Sequence, residues 1–189
     1  MHEVVIIGAG LAGLSCARVL QKHNVGFTLL EKADRPGGRI KTDRVDGYLL
    51  DHGFQVLQAA YPEARKLLDY RRLDLKPFAP GAIIRIGKRF HRIADPRRRP
   101  RDLWRTLRAP IGTIGDRLKM VNLMRRLVKS DVSELFRLPD MPAGDFLKDE
   151  GFSETIINRF FRPFFAGVCL DPEIGASSRV FRYVFRIFA

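Results

Sequence analysis

Residues 4–42 read VVIIGAGLAGLSCARVLQKHNVGFTLLEKADRPGGRIKT, and this order of apolar runs and glycines predicts a βαβ unit. The run Val4–Ile7 is short and wholly apolar, as expected of a parallel strand covered on both faces. Three glycines follow with G-x-G-x-x-G spacing, namely Gly8, Gly10 and Gly13. This spacing is typical of the turn that leads from a strand into a helix beneath a dinucleotide pyrophosphate.

The glycines of this first turn have separate functions. Gly8 permits the tight turn out of the strand, and Gly10 lets the backbone approach a phosphate with no side chain between them. Gly13 allows the helix to lie close to the strand. The backbone N–H groups of Leu11, Ala12 and Gly13 are then expected to face an anion, with the positive end of the helix dipole behind them.

A second strand is predicted at Phe27–Leu30, after a helix that ends near Asn24. This strand ends on Glu31, which follows the third glycine at the distance from which a carboxylate accepts hydrogen bonds from a ribose diol. Lys32 comes next, and we include it among the cofactor-binding candidates. The competing interpretation is that the glycines only punctuate a loop and that Glu31 is a solvated surface acid.

A second glycine turn lies at residues 35–42, RPGGRIKT, and reads R-x-G-G-R-x-x-T. With this element the chain resembles the flavin-containing amine oxidase and phytoene desaturase superfamily, whose members carry it shortly after the ribose-binding acid. The resemblance implies FAD as the tightly held cofactor. Gly37 and Gly38 allow backbone near the cofactor, and the charge of Arg39 can offset the pyrophosphate. A surface charge beside a turn is the alternative interpretation of Arg39.

A β-hairpin is predicted for residues 40–50, because Asp46-Gly47 suits the positive φ angles of a two-residue turn. The hairpin leads to a D-x-G segment. In the family that the chain resembles, this segment passes beside the flavin, so the resemblance implies Gly53 and Phe54 as cofactor-binding residues. The interpretation favoured for His52 is a structural or surface residue rather than an acid or base.

The composition narrows the class of protein. Of the 189 residues, 46% are apolar, which is enough for a hydrophobic core. No run approaches the ~20 apolar residues of a transmembrane helix, and no signal peptide fits before Gly8. Cys16 and Cys169 have no metal-ligand spacing around them. We therefore expect a cytoplasmic protein with no disulfide and no metal site.

The net charge of +13 is concentrated in one segment. Residues 85–108 hold ten basic residues against two aspartates, a net charge of +8. Such a segment suits a solvated face, an acidic partner or an anionic membrane surface. We expect no nucleic-acid partner, because no interleaved aromatic pattern and no helix-turn-helix accompanies the charge.

Residues 73–189 are interpreted as an incomplete substrate-side region, after an N-terminal FAD-binding part at 1–72. A hairpin around Gly87-Lys88 opens this region, and mostly helical patterns follow. The first long helix is predicted to bury one apolar stripe, formed by Leu118, Val121, Met124, Leu127 and Val128, with Met120 and Leu123 widening it. The phenylalanines of Phe160–Phe165 favour a hydrophobic core over a tunnel for an apolar substrate.

Ser177 or Ser178 can cap a last helix, which carries arginines on one face and phenylalanines on the other. It fits either an interfacial membrane helix or a helix whose apolar face belongs against residues that are not in the chain. The resemblance favours the second interpretation, since proteins of this superfamily are longer and return to the cofactor-binding fold after the helical region.

Together these patterns predict an α/β fold, with a Rossmann-like FAD-binding βαβ domain and a truncated helical substrate-side region. The resemblance implies the N-terminal half of an FAD-dependent oxidoreductase that removes hydride from a C–H bond of a small amine or apolar substrate. Such a chain would be inactive alone, and no residue in it is a convincing acid, base or nucleophile. Two alternatives remain, a nicotinamide-binding Rossmann module and a non-catalytic fragment that binds a partner or an anionic membrane.

Overall fold

The computed structural model describes residues 4–53, 56–95 and 98–188. The chain forms two compact units, Met1–Tyr70 and Arg71–Ala189. The first unit begins with β1 (Val4–Ile7), α1 (Leu11–Lys22) and β2 (Phe27–Leu30). A 3₁₀ turn (Gly38–Ile40) and the hairpin strands β3 (Thr42–Val45) and β4 (Tyr48–Asp51) come next. A short helix, α2 (Pro62–Leu67), follows them.

The first unit opens with the predicted βαβ arrangement. β1 and β2 pair in parallel, with Val4 opposite Phe27 and Ile7 opposite Leu30. Between them α1 ends at Lys22, and Asn24 takes the left-handed conformation that ends many helices, with φ of 55°. The strand, helix and strand predicted from the apolar runs are therefore confirmed.

Only one face of β1 is covered. Ile6 is 8% exposed and faces α1, whereas Ile7 is 87% exposed. A Cβ on Gly13 would lie 3.3 Å from Cγ2 of Ile6, which shows how closely the helix approaches this strand. The expectation of cover on both faces is wrong for this chain, because the described residues place no element on the side of Ile7.

The predicted hairpin follows the second glycine turn. β3 and β4 pair antiparallel around Asp46 and Gly47, which have φ of 50° and 84°. Two consecutive positive φ angles are the mark of the two-residue turn that matches the twist of a hairpin. The dipeptide signal in the sequence was therefore sufficient to locate this turn.

The second unit consists of a β-hairpin followed by helices. Its strands are β5 (Gly81–Ile86) and β6 (Arg89–Ala94), and a 3₁₀ turn (Pro100–Asp102) leads into the helices. The helices are α3 (Leu103–Arg108), α4 (Ile114–Lys129), α5 (Val132–Arg137), α6 (Ala143–Asp149), α7 (Glu154–Ile156), α8 (Arg162–Cys169) and α9 (Ser178–Phe188). A π-helical turn, Ile157–Phe161, joins α7 to α8 just before Pro163.

Phenylalanines dominate the core of this unit. Phe161 and Phe181 are 0% and 1% exposed, and their ring centroids lie 5.8 Å apart. Phe165 lies 4.3 Å from Phe181, and Phe185 is 6% exposed beside them. The interpretation of the phenylalanine-rich run as core is confirmed for Phe161 and Phe165.

The apolar stripe predicted for α4 is wrong in part. Leu118 and Val121 are 68% and 56% exposed, while Leu123 and Leu127 are 1% and 4% exposed. Leu123 and Leu127 are four residues apart and so lie on one face of the helix. Apolar residues cover so much of α4 that periodicity alone did not single out the face that packs.

α9 lies within the bundle rather than on its surface. Phe181 and Phe185 belong to the core, and Arg182 is only 8% exposed. Three arginines of α9 donate hydrogen bonds to backbone carbonyls that lie just before and just after α5, from Arg179 to Leu138, from Arg182 to Pro139 and from Arg186 to Ser130. Arg182 also stacks over the ring of Phe146 at 4.2 Å. Both interpretations of α9, as an interfacial membrane helix and as a helix whose apolar face lacks its partner residues, are therefore wrong, because this face packs within the unit.

A buried carboxylate joins two helix starts. Asp116 is 1% exposed and accepts hydrogen bonds from the amide and hydroxyl of Thr113 and from those of Ser153, at 2.7 to 2.8 Å. Burial opposes its ionisation, but these hydrogen bonds outweigh burial and lower the pKa of Asp116 to about 2. The ionised Asp116 thus ties the start of α4 to the start of α7.

None of the helices in residues 4–53, 56–95 and 98–188 combines the length and the apolar character that a bilayer crossing requires.

Candidate functional site

The first glycine turn has the open geometry of an anion-binding loop. Gly8 leaves β1 with φ of 94°, and its amide donates to the carbonyl of Leu30 at 2.7 Å. Gly10 precedes α1 without a side-chain cap, and a Cβ placed on it would meet no atom within 4 Å. The amides of Leu11, Ala12 and Gly13 donate to no acceptor within the part of the chain that the structure describes. They are therefore available to an anion.

Gly13 is required by packing rather than by a ligand. A Cβ at this position would lie 1.9 Å from the carbonyl oxygen of Gly8, far inside van der Waals contact. A side chain there would push α1 away from the turn. The proximity of helix and turn, expected from the third glycine of the motif, is thus a property of the folded chain.

Glu31 lies beside the first turn, at the end of β2. One of its carboxylate oxygens accepts a hydrogen bond from the amide of Ala9 at 2.6 Å, and the other accepts from Ala33 at 2.8 Å. The bonds from Ala33 and then Ala9 lower the pKa of Glu31, so the group is ionised at neutral pH. An ionised carboxylate has about four acceptor positions, so acceptor capacity remains for a hydroxyl of a ligand.

Ala9 links the two glycine turns. Its amide binds Glu31, and its carbonyl accepts a hydrogen bond from the amide of Gly37 at 2.8 Å. A Cβ on Gly38 would lie 3.2 Å from Cα of Gly10, so the two turns are in backbone contact. Two loops that are almost 30 residues apart in sequence therefore form one surface, and Ala9, 2% exposed, lies beneath it.

The D-x-G segment joins the same surface. A Cβ on Gly53 would lie 2.4 Å from the carbonyl oxygen of Arg39, so backbone packs on backbone there. Asp43 helps to hold this arrangement, because it pairs with Arg35 on one side and with Nε2 of His52 at 2.6 Å on the other. The interpretation of His52 as a structural residue is consistent with this contact, since the ring bridges β3 and the start of the segment.

The candidate residues from the sequence thus lie in a single chain of contacts. The first turn touches the second, and the second touches Gly53. Lys32 lies at the edge of this group, where its amide contributes to the lowered pKa of Glu31. Arg39 is exposed and makes no ion pair with a described residue. Phe54 lies outside the described residues.

Ala9 and Asp43 were not singled out by sequence reasoning. Ala9 occupies a position of the glycine motif at which any residue can stand, so its identity does not mark it as functional. Its burial would mark it, but that burial is a property of the folded chain. Asp43 lies in a polar stretch of β3, and its two partners are eight and nine residues away. The sequence spacing does not predict that Arg35 and His52 both contact the carboxylate of Asp43.

Residues 11–186 match the model of the family described as flavin containing amine oxidoreductase. The chain belongs to this family. The flavin-containing amine oxidoreductases are enzymes that carry a flavin cofactor, which agrees with the resemblance inferred from the second glycine turn.

Several members of the family show how far the likeness extends. Coproporphyrinogen III oxidase of Propionibacterium freudenreichii is 25% identical over 179 residues, which cover 88% of this chain and 31% of that protein. Phytoene desaturase (lycopene-forming) of Pseudescherichia vulneris is 40% identical over 86 residues, which cover 41% of this chain and 18% of that protein.

A solved structure of wild-type putrescine oxidase bound to putrescine has the same fold, with a TM-score of 0.59 at 20% identity. It matches over 97% of this chain and 41% of its own length. The α/β fold with a Rossmann-like domain, predicted from the sequence, is therefore confirmed. The aligned parts span between about one fifth and two fifths of the lengths of these three relatives, so the chain matches only part of each.

Proposed function

We propose that this chain supplies the FAD-binding surface of an oxidoreductase that acts on a C–H bond of a small amine or apolar substrate. The observation that carries the proposal is the position of Ala9, whose amide binds Glu31 and whose carbonyl binds Gly37. This residue brings the two glycine turns together on one surface. A nicotinamide dinucleotide needs only the first turn, whereas a flavin dinucleotide gives the second turn a function.

The described residues fit an adenine dinucleotide. The unpaired amides of Leu11, Ala12 and Gly13 would bind its pyrophosphate, helped by the helix dipole. The ionised Glu31 would accept hydrogen bonds from the adenosine ribose. The turn at Gly37 and Gly38 would lie along the inner part of the cofactor.

Arg39 and Gly53 would complete this surface. The guanidinium of Arg39, exposed and without a carboxylate partner among the described residues, would offset phosphate charge. Gly53, packed on the carbonyl of Arg39, would lie at the flavin end of the cofactor. When bound, FAD supplies the hydride acceptor, and the residues of this chain hold and orient it.

The substrate classes come from the relatives. The relatives are named for coproporphyrinogen, phytoene and putrescine, so the family acts on both apolar chains and amines. We assign residues 1–72 to the FAD-binding domain and residues 73–189 to the substrate side. The phenylalanine-rich second unit suits an apolar neighbour better than a charged one. No residue of the chain is assigned as acid, base or nucleophile.

Nucleotide selectivity tests this proposal. We expect the purified chain to bind FAD more tightly than NAD in a calorimetric titration, and to release FAD on denaturation if any nucleotide co-purifies. Arg39→Gln should weaken FAD binding about tenfold, through loss of one charge-assisted contact. Arg44→Gln removes another exposed arginine of the same unit and should leave FAD binding unchanged. Equal affinity for FAD and NAD, or equal effects of both substitutions, would contradict the proposal.

A further inference from the structure

A cluster of arginines that follows β6 and extends into α3 lines a surface pocket. The pocket has a volume of about 530 Å³ and is lined by residues 98–102 and Arg105. Its lining holds four arginines and one aspartate, a net charge of +3. The segment thus concentrates part of its excess positive charge in one concave site rather than spreading all of it over a solvated face.

Two carboxylates lie near the four arginines and do not neutralise them, since Asp95 lies 3.9 Å from Nε of Arg98 and Asp102 serves two others. Asp102 is 6% exposed, and its oxygens lie 3.4 Å from Nε of Arg99 and 3.7 Å from one terminal nitrogen of Arg105. Arg101 makes no ion pair with any residue in 4–53, 56–95 or 98–188. Asp102 therefore orients two guanidinium groups while a surplus of cationic donors remains open. Guanidinium groups match the geometry of phosphate oxygens, so the pocket has the chemistry of a phosphate site.

The helix that follows the pocket residues in the sequence, α3, carries large apolar side chains. The hydroxyl of Thr106 accepts from the amide of Ala94 at 3.0 Å, which fixes the face of α3 that packs on β6. The other side of α3 is solvent-facing, with Trp104 69% exposed and Leu107 42% exposed. An exposed tryptophan flanked by arginines is the pattern of a segment that lies at a membrane interface.

The hairpin of β5 and β6 also carries exposed apolar side chains next to arginines. Phe90 pairs with Arg85 and Ile83 pairs with Arg92 across β5 and β6. Phe90 is 71% exposed and Ile83 is 65% exposed. Each pair sets one large apolar group next to one cation, and no acidic residue lies in either strand. α3 and this hairpin therefore both expose large apolar side chains beside arginines.

We infer that the pocket formed by residues 98–102 and Arg105 binds the headgroup phosphate of an anionic phospholipid. Trp104 and Leu107 enter the interface beside it. Charge complementarity favours an anionic bilayer over an uncharged apolar partner, because residues 85–108 carry a net charge of +8. This surface replaces α9, whose arginines are bound to backbone carbonyls, as the membrane-facing part of the chain.

Vesicle binding and the fluorescence of Trp104 test this inference together, since Trp104 is the only tryptophan of the chain. The probe is a vesicle of equal parts phosphatidylglycerol and phosphatidylcholine. We expect the chain to sediment with these vesicles and the emission of Trp104 to shift to the blue. We also expect both signals to disappear at about 1 M salt, where the Debye length falls to about 3 Å.

The variant Arg101→Gln/Arg105→Gln should lower the partition coefficient about 25-fold, at about fivefold for each arginine lost. Its matched control is Arg125→Gln/Lys129→Gln, which lowers the net charge equally at two exposed positions of α4 and should change binding less than twofold. Near-identical circular dichroism spectra would show that the variants fold.

Three results would overturn the inference. The first is equal loss of binding in the two double variants, which would reduce the effect to net charge. The second is equal sedimentation with vesicles of phosphatidylcholine alone. The third is a shift of Trp104 emission with inorganic phosphate or glycerol phosphate but not with the vesicles, which would identify a soluble phosphate as the ligand.

Discussion

Replacing Gly10 with alanine should separate cofactor binding from folding. Gly10 has φ of −76° and ψ of −176°, which alanine adopts readily, and its added Cβ would meet no protein atom within 4 Å. We expect the free energy of unfolding to stay within about 0.5 kcal/mol of wild type, or to rise by up to about 1 kcal/mol from the lower entropy of the unfolded chain. The methyl group would nevertheless stand where a pyrophosphate approaches the turn.

The expected loss of affinity follows from the contacts at stake. If the Cβ displaces the phosphate from one amide of the first turn, about 1.5–3 kcal/mol of a charge-assisted hydrogen bond is lost. This corresponds to a roughly ten- to hundredfold weaker Kd, at 1.4 kcal/mol for each tenfold change. A calorimetric titration with FAD measures the Kd, and urea unfolding measures the stability of the same preparation.

Gly26→Ala provides the matched control. Gly26 also has open space around its Cβ position and lies in the same unit, before β2. Its replacement should leave both the Kd for FAD and the stability near their wild-type values. The reasoning is refuted if Gly10→Ala binds FAD as tightly as wild type, or if Gly26→Ala weakens binding to the same extent.

Three further predictions concern charged groups. Glu31→Gln should weaken FAD binding about tenfold with little change in unfolding temperature, and an unchanged Kd would remove Glu31 from the site. Because the pKa of Asp116 is lowered, its contribution of about 2 kcal/mol should be present above pH 4 and lost as the pH falls toward about 2, and urea unfolding should show this slope in wild type but not in Asp116→Asn. Arg182→Met, which loses the cation over Phe146, should change stability by less than about 2 kcal/mol, while Arg182→Ala should cost more because it leaves a cavity.

Local signals located most of the first unit. The apolar runs, the three glycines of the first turn and the Asp46-Gly47 dipeptide each depend on the conformations available to one or two residues. Such constraints can be read directly from a sequence. The position of Glu31 beside the first turn follows from the length of the βαβ unit, and the structure has it there.

Packing over long sequence distances was harder to predict. Ala9 binds both Glu31 and Gly37, and neither contact has a local signal. Asp116 could have been recognised as the fourth residue of a capping box that begins at Thr113, but its bonds to Ser153 span 37 residues. The same limit applied to α9, whose apolar face was expected to lie at a membrane or against residues outside the chain, and which instead packs Phe181 and Phe185 into the core of its own unit.

The helical region also shows how a local rule can give an incomplete result. A proline such as Pro163 breaks or kinks most helices, because it has no N–H and clashes with the preceding turn. The structure keeps the chain helical and changes the winding instead, with a π-helical turn at Ile157–Phe161. Burial of Phe161 on one side and Phe165 on the other stabilises helical continuity there.

Backbone amide shifts on addition of FAD would test the central claim most directly. The isotope-labelled chain is titrated with FAD and followed by two-dimensional NMR. We predict that the largest shifts fall on Leu11, Ala12 and Gly13 together with Gly37 and Gly38, at the same FAD concentration. Shifts confined to the first turn, or spread over the second unit with both turns unaffected, would show that the two turns do not bind one flavin dinucleotide.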